Sequence, residues 1–316
     1  MANVKKVVKR KKEKTKLVRF YGINITLQSK ERKGPSAYLD LVKKIHEEQM
    51  YFTVGHEIMM LLRTLFSTNL SFKGKDYPII YGKILRFNTI KNWYNQKEQI
   101  FQDYKLPEDL VPNAFETDYI FIPEVHKFFI RYNNRVNIYQ ALSFMGKALG
   151  SLLVTGEKIN LSIITSSDTI ERILSAKVIK SLDIDVSYTN DDIGNEAEEL
   201  IDQMLKEANS GKASVVLKPD SSGSLNPQSD LVKGFVGVAK DNGTVTARIV
   251  NSEGKSETIR TENYPEKFNL QVTETDEKKE DEKEVLFNRV MTDYRDRNSS
   301  SKQTLKKKNV GKRKRK

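Results

Sequence analysis

The chain has 316 residues, no cysteine and three histidines, and a formal charge of +12 at neutral pH. This excludes disulfides, thiolate nucleophiles and cysteine-ligated zinc or iron–sulfur centres, and leaves any histidine chemistry to His46, His56 and His126. The charge is concentrated at the ends: residues 1–16 carry +7 and residues 302–316 carry +9, so residues 17–301 are net −4.

Residues 1–16 are too charged to bury and are predicted to be a disordered basic tail. No apolar segment with a small-residue cleavage site follows, so no secretory signal is expected. LVRFYGINITLQ, residues 17–28, predicts a strand in which Ile23, Ile25 and Leu27 alternate with polar neighbours. Pro35 and Ser36 open a helix over 37–49 with Tyr38, Leu41, Val42 and Ile45 on its inner stripe. MYFTV reads as a short strand, and EIMMLLRTLF, residues 57–66, as a buried helix. YPIIYGKILRF (77–87) is a strand, followed by a polar and aromatic insertion to about Asn113. Residues 118–124 and 126–132 predict two strands joined at Pro123, so that Glu124 and His126 share a strand face. An amphipathic helix over 136–153 and a strand over 157–164 follow. The order strand, helix, strand, strand, helix, strand is the ferredoxin-like pattern, and residues 17–165 are assigned to one α+β lobe of that kind.

Residues 166–275 predict a second α/β lobe. Asp168 and Glu171 mark a helix start, and SLDIDVSYT is a strand. A helix from Asp191 to Ala208 carries Ile201, Met204 and Leu205 on one face, with Thr189 or Asn190 as its cap. KASVVLK is a strand. LVKGFVGVA (231–239) and TVTARIV (244–250) read as strands joined by a turn at Lys240–Gly243, with Gly243 at positive φ. GKSETIRT and EKFNLQVTE complete an antiparallel β-meander. Residues 276–298 predict a charged amphipathic helix, and 299–316 a second disordered basic tail. No run of about 18 apolar residues occurs, so no membrane span and a cytoplasmic protein are expected.

Three stretches, YPIIYGKILRF, TDYIFIPEVHKFFI and LDIDVSYTNDD, in that order and spacing resemble an uncharacterised bacterial family, a domain of unknown function, over residues 17–273. The family's third stretch more often ends in Arg-Pro-Asn-x-Asp. Here it reads Ser187-Tyr188-Thr189-Asn190-Asp191-Asp192, which leaves no such arginine for an anion. The resemblance implies a bacterial or mobile-element origin and a setting in phage defence or genome conflict. It brings no catalytic residues.

Four sets of residues carry chemistry. The tails would draw a polyanion in a salt-dependent way without reading its sequence. Residues 72–97 interleave Lys73, Lys75, Lys83, Arg86, Lys91 and Lys97 with aromatics that include Trp93 and Tyr94, the mixture that single-stranded nucleic acid requires. Asp183 and Asp185, two apart on a strand, would hold Mg²⁺ in a nuclease; the blander reading is a wet strand face. His126, beside Glu124 and paired with a Tyr or Lys, would serve metal-free RNA cleavage as a general acid–base; the blander reading is a structural histidine. Gly146-Lys147 and Gly211-Lys212 lack the spacing of a phosphate-binding loop. The leading expectation is a nucleic-acid-binding protein, RNA or single-stranded DNA rather than duplex, without a cofactor. A nuclease effector is the alternative. A third reading is a non-catalytic protein that docks a partner on residues 286–294.

Overall fold

The computed structural model describes residues 14–89, 93–102, 107, 109–189, 196–274 and 281–296. Its first sheet has eight strands: β1 (Lys14–Gln28), β2 (Tyr51–Gly55), β3 (Ile58–Phe72), β4 (Lys75–Asn88), β7 (Phe115–Ile122), β8 (Lys127–Arg131), β9 (Lys158–Ile163) and β14 (Phe268–Glu274). The order is β14–β1–β8–β7–β4–β3–β2, every pairing is antiparallel, and β9 pairs the second half of β1 on the edge that β14 pairs along its first half. Between β4 and β7, β5 (Trp93–Asn95) and β6 (Ile100–Gln102) form a separate two-stranded hairpin.

Helices α1 (Gly34–Glu47) and α2 (Ile138–Ser151) cover one face of this sheet. Asn137 caps α2 by accepting from Gln140 N. Helix α6, residues 282–296, packs on the opposite face. Strands β7 and β8 are therefore buried on both sides: Tyr119, Phe121, Phe128 and Ile130 meet α1 and α2, while Ile120, Ile122 and Phe129 belong to the α6 side. This explains why YIFI and KFFI are continuous apolar runs rather than alternating ones.

Residues 58–66 are strand and Glu57 is in the turn before them, not the expected buried helix. An apolar run of this length suits either state. What decides it is the two-residue turn Lys73-Gly74, both at positive φ (51° and 81°), the geometry of a tight hairpin. That turn locks β3 against β4 from Phe72↔Lys75 to Ile58↔Asn88.

The second sheet, β11–β10–β12–β13, is built from β10 (Val178–Ser187), β11 (Lys212–Leu217), β12 (Gly243–Val250) and β13 (Ser256–Arg260). It packs against α3 (Ser167–Leu174), α4 (Glu196–Glu207) and α5 (Asp230–Asn242). Residues 231–239 thus form a helix where a strand was expected. Ser229 caps it through Val232 N, and Val232, Val236 and Ala239 make the buried stripe. Gly243 is extended at φ 176° rather than in the left-handed region. It is needed for a different reason: a Cβ there would lie 1.9 Å from the Asp185 carbonyl oxygen. The predicted meander is also broken at its end, because β14 leaves β13 and returns to pair with β1. Apolar Phe268, Leu270 and Val272 are buried there in the core under α6.

Thr189, offered with Asn190 as a helix cap, is tied to α4 further along. Its N and Oγ1 donate to the buried Asp202 of α4 at 2.9 and 2.7 Å. The expected helix residues 191–195 lie outside the described residues. So do tail residues 1–13 and 299–316, whereas Lys14–Lys16, expected in the disordered tail, are strand paired with Glu274–Val272. No described helix is long and apolar enough to cross a membrane.

The lobes meet at the C-terminus of α5. The last carbonyls of a helix have no partner within it, and here neighbouring elements supply three. Thr165 N donates to Lys240 O at 3.1 Å, Ser162 Oγ to Asp241 O, and Ser187 Oγ to Asn242 O at 3.1 Å. The Asn242 side chain accepts from Asn24 Nδ2 at 2.9 Å, and Lys127 pairs with Asp241 at 3.5 Å.

Within the first lobe, Arg32 clamps the turn after α2. Its Nε donates to Glu157 Oε1 at 2.8 Å and its Nη2 to Glu157 Oε2 and Leu152 O. The Arg32 hydrogen bonds hold the Glu157 carboxyl down to about 2, below the ~4.3 of an unperturbed glutamate. Such a group stabilises the fold above its unfolded pKa, and that contribution is lost as pH falls through the folded one. The melting temperature is expected to fall between about pH 4.3 and pH 2, and Glu157→Gln to flatten that limb of the profile measured by circular dichroism.

Candidate nucleic-acid interface

Helix α6 covers only part of its sheet face, through Leu286, Phe287, Val290 and Met291. Beside its N-terminus a groove of about 700 Å³ remains open over β3, β4, β7 and β8. Cross-strand register composes it. Phe66 lies opposite Tyr81, with ring centroids 5.5 Å apart, and Lys83 lies opposite Asp118. A β-bulge between Leu62 and Thr64 interrupts the register at Arg63, whose guanidinium pairs with Glu116. At that bulge the strands are so close that a Cβ on Gly82 would sit 1.9 Å from the Thr64 carbonyl oxygen.

The groove is charged as well as aromatic. Asp118 accepts from Lys83 at 3.0 Å and from Arg131 at 2.9 Å. Burial pushes the Asp118 carboxyl up, but these two cations outweigh it and hold the group below its ordinary value. Arg131 also lies 3.3 Å from Glu282 at the start of α6, and Lys16 lies 3.4 Å from the same carboxylate. Lys283 Nζ stands 4.5 Å over the Tyr81 ring. Phe66 is 55% exposed. A cationic rim around two accessible rings can take phosphates on the rim and a base on the rings.

The stretch 72–97 is not one patch. Lys73 and Lys75 sit at the β3–β4 turn, where Lys75 pairs with Glu124 at 3.6 Å and lies 4.7 Å over Tyr77. Lys83 is mid-strand in the groove, and Arg86, an odd number of residues away on β4, takes the opposite face near the Phe115 ring at 5.9 Å. Trp93, Tyr94 and Lys97 belong to the β5–β6 hairpin and its turn, beyond the other end of β4. The 14 residues of β4 separate the two ends by about 43 Å. Lys91 lies outside the described residues. The hairpin presents Tyr94 against Phe101 at 5.3 Å, with Phe101 exposed. Sequence reasoning missed Phe101, Phe66, Arg63 and Arg131. The last three become visible only once residues 58–66 are placed in a strand and registered against β4 and β7.

Glu124 and His126 do not share a strand face. Pro123 opens a 3-10 turn over Pro123–Val125, and His126 follows it at φ 55°. His126 is buried and stacked on Tyr38 with ring centroids 4.1 Å apart, while Glu124 turns to Lys75. That burial keeps the imidazole from the surface an RNA would reach. Asp183 and Asp185 stand on the exposed face of β10, with Leu182, Ile184 and Val186 inward, and Asp185 accepts from Ser214 Oγ. Among the described residues no group of three or more His, Asp or Glu side chains is placed to hold a metal ion; Asp191 and Asp192 lie outside them. The 286–294 face expected to dock a partner is occupied by the chain's own sheet, with Leu286 and Phe287 fully buried.

A family model described as a domain of unknown function (DUF4747) matches residues 16–291. No curated protein matches the chain.

Proposed function

The chain belongs to the DUF4747 family, and from that premise, which carries no activity with it, we propose that it binds RNA or single-stranded DNA on the open face of its large sheet. The observation that carries this reading is the groove, where the Phe66–Tyr81 ring pair is bordered by Arg63, Lys83 and Arg131. Strand order β9–β1–β8–β7 with α1 and α2 on one side supports a ferredoxin-like core for this lobe. Sheets of that kind offer aromatics and cations to RNA from the face away from the helices. The tails, carrying +7 and +9, add sequence-independent attraction. A bacterial setting in conflict with phage or mobile elements belongs to the same proposal and draws on the family resemblance alone.

Fluorescence anisotropy with labelled oligo-uridine, oligo-deoxythymidine and a duplex, at two salt concentrations, tests it. Stacking contributes about 1–3 kcal/mol per base, so Phe66→Ala is expected to weaken single-strand binding roughly 5- to 150-fold. Lys83→Ala is expected to reduce the salt slope. Glu282→Gln, by removing the carboxylate that holds Arg131 and Lys16, is expected to tighten binding. Deleting residues 1–13 and 302–316 is expected to weaken single strands and duplex alike. If tailless protein with Phe66→Ala and Lys83→Ala binds single strands as tailless wild type does, the reading is wrong. The same oligonucleotides incubated with and without Mg²⁺ report whether cleavage accompanies binding.

A further inference from the structure

Strand β3 carries an open edge. β2 pairs with it only over Ile58–Leu61, and among the described residues no strand lies beside it from Leu62 to Phe72. The two-residue turn Lys73-Gly74 makes Phe72↔Lys75 a hydrogen-bonded pair. Counting back in twos, Leu65, Ser67, Asn69 and Ser71 turn their N–H and C=O away from β4. No described residue bonds to these four N–H and four C=O groups, and Ser67, Asn69 and Ser71 are exposed. The outermost strands of the sheet are treated differently. Lys147 Nζ donates to Thr53 O of β2 at 2.6 Å, and Arg289 Nη1 to Asn269 O of β14 at 2.8 Å. Open edges are usually blunted by charge or proline, yet residues 64–72, TLFSTNLSF, contain neither.

We infer that this edge pairs antiparallel with the same edge of a second copy, about a two-fold axis at Thr68. Only that centre engages all four outward residues of each copy, Ser67 with Asn69 of the partner subunit and Leu65 with Ser71 of the partner subunit. The four N–H and four C=O groups of each copy then form eight hydrogen bonds. The same register sets Phe66 against the partner's Leu70 and Thr68 against the partner's Thr68, cross-strand pairs of the kind that stabilise antiparallel sheets. Charge selects the occupant. A two-fold axis brings each charge near its like, which destabilises, and an uncharged stretch avoids this; Arg63 and Lys73 fall just outside the overlap. Because β3 borders the nucleic-acid groove, the grooves of the two copies would adjoin across the axis, but the pairing does not rest on that reading.

The absence of cysteine lets single cysteines report the register. Residues facing each other in a non-hydrogen-bonded antiparallel pair have Cα atoms about 4.5 Å apart, within disulfide reach. Thr68→Cys is therefore expected to give an intermolecular disulfide under mild oxidation with diamide. Asn69→Cys is not, since its own mate is offset by two residues. Sedimentation velocity on the full chain, freed of nucleic acid by nuclease and high salt, is expected to show a reversible dimer that grows between about 1 and 100 µM, as suits a small interface. Asn69→Pro removes an outward N–H and spares the β3–β4 ladder, so it is expected to stay monomeric with an unchanged circular dichroism spectrum. Thr68→Lys and Thr68→Glu are each expected to be monomeric, and their equimolar mixture to dimerise; this pair serves if the proline variant fails to fold. A wild-type chain monomeric throughout, as when another segment or another protein takes the edge, would overturn the inference. So would equal crosslinking of Thr68→Cys and Asn69→Cys, a dimer undiminished in folded Asn69→Pro, or a charge mixture no more associated than its parts.

Discussion

Replacing Phe287 with alanine is expected to destabilise the chain by about 3–5 kcal/mol, the range for truncating a buried aromatic ring. Phe287 is fully buried, with ring centroids 6.4 Å from Phe72 and 6.0 Å from Tyr77. It joins the β3–β4 hairpin to the C-terminal helix, so its loss opens a cavity between elements more than 200 residues apart in sequence. Urea denaturation would register it as a lower midpoint at constant slope. The measurement also separates two views of residues 286–294. If that face were a partner-docking surface, the substitution would change stability by no more than about 0.5 kcal/mol, and its effect would appear only in co-purification.

Gly82→Ala is expected to cost about 3 kcal/mol, the upper end for overpacking, because the added methyl meets backbone. The Thr64 carbonyl oxygen and carbon would lie 1.9 and 2.7 Å from it, and neither can move without disturbing the β3–β4 ladder. Gly22→Ala is the informative control. Its nearest neighbour is the Ile164 Cδ1 atom at 2.5 Å, the end of a side chain that can rotate away. Thermal melts that rank Gly82→Ala well below Gly22→Ala support the close approach at the bulge, and equal losses argue against it. Gly82 also lines the groove, so the same substitution is expected to weaken single-strand binding measured in the folded fraction.

Elements whose signal is local were legible in the sequence. The stripe Tyr38, Leu41, Val42 and Ile45 placed α1, and the alternation of Leu182, Ile184 and Val186 placed β10, because each pattern has one period and one buried side. Residues 57–66 and 231–239 were misread for opposite reasons. The first has no clear period, and the hairpin turn downstream decides it. The second is rich in β-branched residues, yet its serine cap and its i, i+4, i+7 spacing prevail once the stripe finds the second sheet. The return of β14 to β1 could not be read locally, since an antiparallel strand can pair on either side of a chain with the same pattern. The groove was hidden for the same reason: Phe66 and Tyr81 are 15 positions apart, and only register brings them together. Of the seven described residues among the eight expected to meet nucleic acid, Lys83 alone lies in it.

The pairing of β14 with β1 has a consequence for the basic ends. It brings the start of the described chain to the start of α6, where Lys16 meets Glu282. The C-terminal extension follows the other end of that helix, 14 residues on and therefore about 21 Å away. The two cationic extensions are thus joined to the described chain at opposite ends of α6, the first beside the groove and the second next to Lys127 and Lys240. A polyanion caught by one meets the other at a raised effective concentration, so their contributions are expected to multiply. Deleting both should weaken binding by about the product of the single deletions or more, a geometry-set avidity that a chain with ends on opposite sides would not have.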